Sequence, residues 1–167
     1  KLDKFMSHFN EHALEMAIME LLERQGYVYQ GGETIHKELS EVLLLDDLRL
    51  FLMERYATEG ITTLEAEHII ARLKADNGAP LYEQNAQTYR LMAEGFAIKR
   101  EDASKPDLFV EVIDFEHTER NIFKIVNQLE IVGQEKRIPD GIVYVNGLPV
   151  VVMEFKSAVK EDTTIMN

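Results

Sequence analysis

Apolar positions recur at helical spacing early in the chain and give way to unbroken β-branched runs near its end. Leu14, Ala17, Ile18, Leu21 and Leu22 follow a three-to-four-residue period, which predicts a helix over 4–25 with Gly26 as its C-terminal cap. Gly26 to Glu33 reads as a short extended segment that ends in a flexible Gly31-Gly32 loop. Beyond the apolar stretch Val42 to Leu45, helices are predicted over 46–57, 62–75 and 80–94. Thr62 and Glu65 form a capping box at the start of the middle one, while Pro80 and Gly95 bracket the last. Mixed charge on their outward faces is the pattern of a helical insert packed on a sheet or facing other domains. Residues 91–99 lead into the sheet, 101–107 form a polar loop, and strands are predicted over 108–115 and 123–132.

The last apolar runs are Ile142 to Val145 and Val150 to Met153, joined through Asn146-Gly147, a dipeptide that favours a hairpin turn. Both faces of this hairpin are apolar apart from a few charged positions, so helices are expected on both sides. The fold class is therefore α/β, with a mixed sheet of at least four strands flanked by helices. With a loop of Asn146 and Gly147 alone, Asp140 would oppose Met153 and face away from Glu154 and Lys156. An odd-length loop, Asn146-Gly147-Leu148, or a bulge is expected instead, with Pro149 marking irregular pairing.

Asp140, Glu154 and Lys156 are the residues on which chemistry would rest. Glu154 and Lys156 are two apart and share one face of a strand. Neighbouring carboxylates repel one another unless a cation lies between them, and oxygen ligands favour Mg²⁺, with Mn²⁺ as a substitute. Such an ion orients water and stabilises the charge that develops in phosphodiester hydrolysis, and a lysine beside it positions or deprotonates that water. The competing reading is a solvated edge-strand pair beside a turn aspartate, because a PD followed by ExK is short and degenerate. His8 to His12 also matches H-x-x-E-H, a zinc-binding pattern, but the match is short and no third ligand is evident.

Longer segments carry more. Glu15 followed by GYVY at 26–29, IDFEHTERNIFKIVNQLEI at 113–131 and PDGIVYVNGLPVVVMEFK at 139–156 resemble the N-terminal nuclease domain of the R (restriction, DNA-translocating) subunit of type I restriction enzymes. That family lies within the PD-(D/E)xK nuclease superfamily. Asn121, Phe123, Asn127 and Gln128 stand at its N-x-F-x-x-x-N-Q signature. The resemblance implies a restriction-endonuclease-like core, with Asp140, Glu154 and Lys156 catalytic. Asp140, Glu154 and Glu15 would be metal ligands, Glu15 directly or through water. Asn127 and Gln128 would be supporting hydrogen-bonders, and Asn121 could be one; tying down buried backbone is the other reading for each. DNA would be the substrate, methylation and specificity subunits the partners, and the cytoplasm of a bacterium or archaeon the location. ATP would act only through motor domains outside this chain.

Composition narrows the class. The chain has 167 residues, 46% of them hydrophobic, enough for one domain with one core. It lacks cysteine, Walker-type motifs and apolar runs of membrane-spanning length, which excludes disulfides, thiolate metal sites and ATP binding here. A net charge of −12 predicts weak DNA binding by this chain alone. In the resembled family a helix with a Gln and a Tyr follows the lysine. Here SAVKEDTTIMN follows, and Gln84, Gln87 and Tyr89 lie upstream, so a domain truncated at that end is expected. The absent initiator Met suggests trimming at the other. A repair or junction nuclease of the same superfamily and a non-catalytic interaction domain with the nuclease fold remain as alternatives.

Overall fold

The computed structural model describes residues 2–75, 78–133 and 135–156. In chain order its elements are α1 (Leu2–Arg24), β1 (Val28–Gly31), α2 (Leu45–Arg55), α3 (Thr63–Leu73), α4 (Leu81–Glu94), β2 (Phe96–Ile98), β3 (Leu108–Val110), β4 (Phe123–Asn127), β5 (Ile131–Val132), β6 (Lys136–Arg137), β7 (Gly141–Val145) and β8 (Leu148–Met153). Backbone contacts divide them into two compact units, one of 1–42, 123–144 and 149–167, the other of 43–122 and 145–148.

The first unit holds most of a four-stranded sheet in the order β1-β4-β7-β8. Strands β1 and β4 are parallel, with Gly31 opposite Asn127, so both finish at the same end of the sheet. β7 and β8 are joined by a tight turn and run antiparallel, which makes the sheet mixed, and with its flanking helices the chain is α/β. Helix α1 packs on β1 and β4. Met19 meets Ile125 and Val143 in the core, with Leu22, Tyr27, Tyr29, Met153 and Phe155 around them. All five residues of β7 are buried, whereas the edge strand β8 leaves Val150, Val151 and Val152 exposed.

Several expectations give way here. The buried stripe of α1 runs through Glu15, Met19 and half-buried Leu22, while Leu14 and Leu21 point to solvent. Periodicity put Leu14, Ala17, Ile18, Leu21 and Leu22 on the apolar face, and packing on the sheet selected a stripe about a residue round the helix. The Gly31-Gly32 pair is not a loose loop. Gly32 is buried, and a Cβ there would fall 2.5 Å from Leu129 Cα and 2.6 Å from the Gln128 carbonyl oxygen. Leu108–Val110 belongs to a separate antiparallel ribbon with Phe96–Ile98, and the short β1 takes a place in the main sheet.

The hairpin loop is Asn146 and Gly147 alone, not an odd-length loop. Both have left-handed backbone, φ 51° and 78°, the combination whose twist matches that of the flanking strands. Next to a two-residue turn Pro149 falls at a position whose N–H would point away from β7, so it forfeits no ladder bond there. Alternation does not scatter the candidate residues either, because Asp140 precedes β7 and Glu154 to Lys156 follow the last residue of β8.

The second unit is built on a larger apolar core: Leu48, Phe51 and Leu52 of α2 pack with Ala66, Ile69, Ile70 and Leu73 of α3 and with β2 and β3. The predicted capping box is present: the Thr62 hydroxyl accepts from Glu65 N and the Glu65 carboxylate accepts from Thr62 N, both at 3.1 Å. Glu65 is buried and also accepts from Arg100 Nε at 2.8 Å and Glu101 N at 2.9 Å. Burial alone would raise its pKa, but the Arg100 bond, the two backbone donors and the Arg100 charge together lower it to about 2. The Asn146-Gly147 turn belongs to this unit. Asn146 Nδ2 donates to Val112 O and Asn121 Oδ1, and its Oδ1 accepts from Ile122 N. Gly147 lies so close to Leu44 O that a Cβ would stand 2.2 Å from it.

Candidate active site

Glu15, Asn127, Gln128 and Asp140 meet where β1 and β4 end and the chain enters β7. Glu15 arrives from the sheet-facing stripe of α1, one helical turn before Met19, and is only 6% exposed. Asn127 is the last residue of β4 and Gln128 the next; Asp140 immediately precedes β7. Asn127 Nδ2 donates to Glu15 Oε1 at 2.9 Å, and Gln128 Nε2 donates to the same oxygen at 3.2 Å. Gln128 Nε2 also reaches Asp140 Oδ1, at 3.5 Å. Tyr29 fixes the Asn127 amide by donating its hydroxyl to Asn127 Oδ1 at 3.0 Å.

The other oxygen of each carboxylate is engaged elsewhere. Asp140 Oδ2 accepts from Phe155 N at 2.6 Å, which draws the chain between Glu154 and Lys156 against it. Glu154 and Lys156 are exposed on either side of Phe155. Glu15 Oε2 lies 3.6 Å from Nδ1 of exposed His12. Among the described residues neither Glu15 nor Asp140 forms an ion pair with a lysine or arginine. A buried and a half-buried carboxylate are thus held together by neutral donors, an arrangement that leaves their negative charge available to a cation.

The sequence-predicted residues therefore divide. Glu15, Asn127, Gln128 and Asp140 form one hydrogen-bonded group, and Glu154 and Lys156 flank the residue bound to Asp140. Asn121 is elsewhere: its side chain bonds the backbone of Asp114 and Thr118 and the amide of Asn146, so it ties down buried backbone in the second unit. The glutamate of the H-x-x-E-H match, with His8, falls on side chains outside those described. Tyr29, which sequence reading left without a role, orients Asn127; its signal was an aromatic residue in register beside the N-x-F-x-x-x-N-Q strand. Residues 157–167, where a following helix was considered, lie outside the described residues.

The donor set suits a hard divalent cation. It offers carboxylate oxygens without thiolates, and magnesium is held by one or two carboxylates with water and phosphate completing its shell. Among the described residues no three His, Cys, Asp or Glu side chains are grouped closely enough to hold a metal by themselves.

Comparison with known proteins identifies the family. Residues 8–166 match the family model described as type I restriction enzyme R protein N terminus. The chain is 29% identical to the type I restriction enzyme HindI endonuclease subunit of Haemophilus influenzae over 94% of its length, and 28% identical to the putative MjaIXP endonuclease subunit of Methanocaldococcus jannaschii over 98%. It is 30% identical to the SsaAORF53P endonuclease subunit of Staphylococcus saprophyticus over 90%. It spans only 16%, 17% and 15% of those relatives, respectively. With a family model covering nearly all of it, the chain belongs to the type I restriction enzyme R protein N-terminal family.

Proposed function

We propose that this chain is the Mg²⁺-dependent endonuclease domain of a type I restriction enzyme R subunit and hydrolyses DNA phosphodiester bonds. The observation that carries the reading is the convergence of Glu15 and Asp140 on the Gln128 amide, without a lysine or arginine ion pair among the described residues. Asp140 and Glu154 would be the principal metal ligands, with Glu15 acting directly or through water. When bound, the metal would supply Lewis-acid stabilisation of phosphate charge and a more acidic water. Asn127 and Gln128 orient the carboxylates. Lys156 Nζ is the group that exchanges a proton with the attacking water and offsets negative charge at the phosphate.

A net charge of −12 gives the chain little attraction for a polyanion. DNA is therefore delivered by other parts of the assembly: ATP-driven motor domains of the same subunit, and methylation and specificity subunits that recognise the sequence. The test uses full-length subunit in its complex, with Asp140→Ala, Glu154→Ala and Lys156→Ala each assayed for cleavage and translocation. Each substitution is expected to abolish cleavage and leave ATP-driven translocation intact. Cleavage retained by any one of them removes that residue from the site.

A further inference from the structure

Gln128 combines three features that a simple strand end does not require. Its backbone is left-handed, with φ 51°, a conformation uncommon outside glycine and, to a lesser degree, asparagine or aspartate. Its exposed side chain turns back to place one nitrogen between Glu15 Oε1 and Asp140 Oδ1, at 3.2 and 3.5 Å. Its backbone is also pinned from both sides. Leu129 is buried, and Gly32 lies against the Gln128 carbonyl so closely that no side chain fits between them. A turn with no further task would take glycine or asparagine there at lower cost, and strained positions that persist are concentrated at functional sites.

The geometry points to Gln128 as a positioning residue that sets the separation of Glu15 and Asp140 before a divalent cation binds. This inference rests on the nuclease reading and adds to it a positioning role for Gln128. Two carboxylates left alone would swing apart under their mutual repulsion, and a cation would then have to draw them together. The amide does so in advance with a donor that carries no charge, so it does not cancel the charge that attracts the cation. Asn127, fixed by Tyr29, holds the same Glu15 oxygen, and Phe155 N holds the second oxygen of Asp140. Among the described residues Gln128 is thus the link that both carboxylates share.

The test is Mn²⁺ titration by calorimetry on this chain, paired with thermal unfolding in a chelator, for wild type, Gln128→Gly, Gln128→Asn and Asp140→Ala. Glycine relieves the backbone and removes the amide. Asparagine keeps an amide and tolerates the backbone but is one methylene too short to bridge. Both are expected to unfold within a few degrees of wild type while binding Mn²⁺ about 10-fold more weakly, the usual scale for a group that orients a metal ligand. Unchanged Mn²⁺ affinity in both variants, with binding lost in Asp140→Ala, would overturn the role of Gln128 and leave the nuclease reading standing. A fall in metal-free stability that accounts for the weaker binding would make Gln128 merely structural and also overturn it. A wild type that takes up no Mn²⁺ removes the reading beneath the inference, and the inference with it.

Discussion

Glu15 and Glu65 are both glutamates hidden from solvent in an α/β protein, yet their surroundings are opposite. Glu65, in the second unit, is 1% exposed and accepts from Arg100 Nε and from the backbone of Thr62 and Glu101. Its charge is matched by a cation, and its hydrogen bonds close a helix start and a loop. Glu15, in the first unit, is 6% exposed and is met by two neutral amides, with the exposed His12 as its other partner among the described residues. Burying an ionised carboxylate costs several kcal/mol unless it is compensated. One unit compensates it with an arginine, and the other surrounds it with neutral donors. On the nuclease function proposed above, that contrast separates a carboxylate that builds structure from one that serves a metal ion.

The largest expected effect is on the structural side. Glu65→Gln keeps the shape of the side chain but strands the Arg100 guanidinium, whose side chain is 5% exposed, without its counter-charge. A loss of about 2–3 kcal/mol is expected in denaturant unfolding, near the lower end for breaking a buried pair because Arg100 retains its bonds to the carbonyls of Glu59 and Gly60. Acid should then erase the difference between wild type and variant. The folded Glu65 value, about 2, lies below the ordinary 4.5, so its contribution is full above about 4.5 and disappears as pH falls towards about 2. A gap that persists unchanged at the acid end would mean that the Glu65 charge is not what stabilises the second unit.

How far each carboxylate's role could be read from sequence follows the range of its interactions. The capping box of Thr62 and Glu65 is a local signal three residues long, and it was legible together with the Pro80 and Gly95 boundaries of α4. The Arg100 half of the Glu65 site is 35 residues away and carries no local sign. The same limit explains the misplaced strand: Leu108–Val110 has a strand pattern, but pattern does not say that its partner is Phe96–Ile98 rather than the main sheet. In the first unit, Asp140 and the hairpin were legible from the PD and NG dipeptides. The grouping of Glu15 with Gln128 depends on a helix rotated by about one residue and on a left-handed glutamine, and neither follows from residue type.

The smallest effect is the sharpest test of the contrast, because its sign differs. In Glu15→Gln the amide oxygen can take the Oε1 position and still accept from Asn127 and Gln128, while the new NH₂ lies on the His12 side. No hydrogen bond need be lost, and the repulsion between Glu15 and Asp140 disappears. Stability should rise by about 1 kcal/mol, seen as about 2–4 °C in the thermal midpoint for a chain of this size, while Mn²⁺ binding weakens. Removing charge from a site prepared for a cation commonly strengthens the fold at the expense of function. Destabilisation on the scale of Glu65→Gln would instead place Glu15 among the structural carboxylates, and the two units would then handle buried charge in the same way.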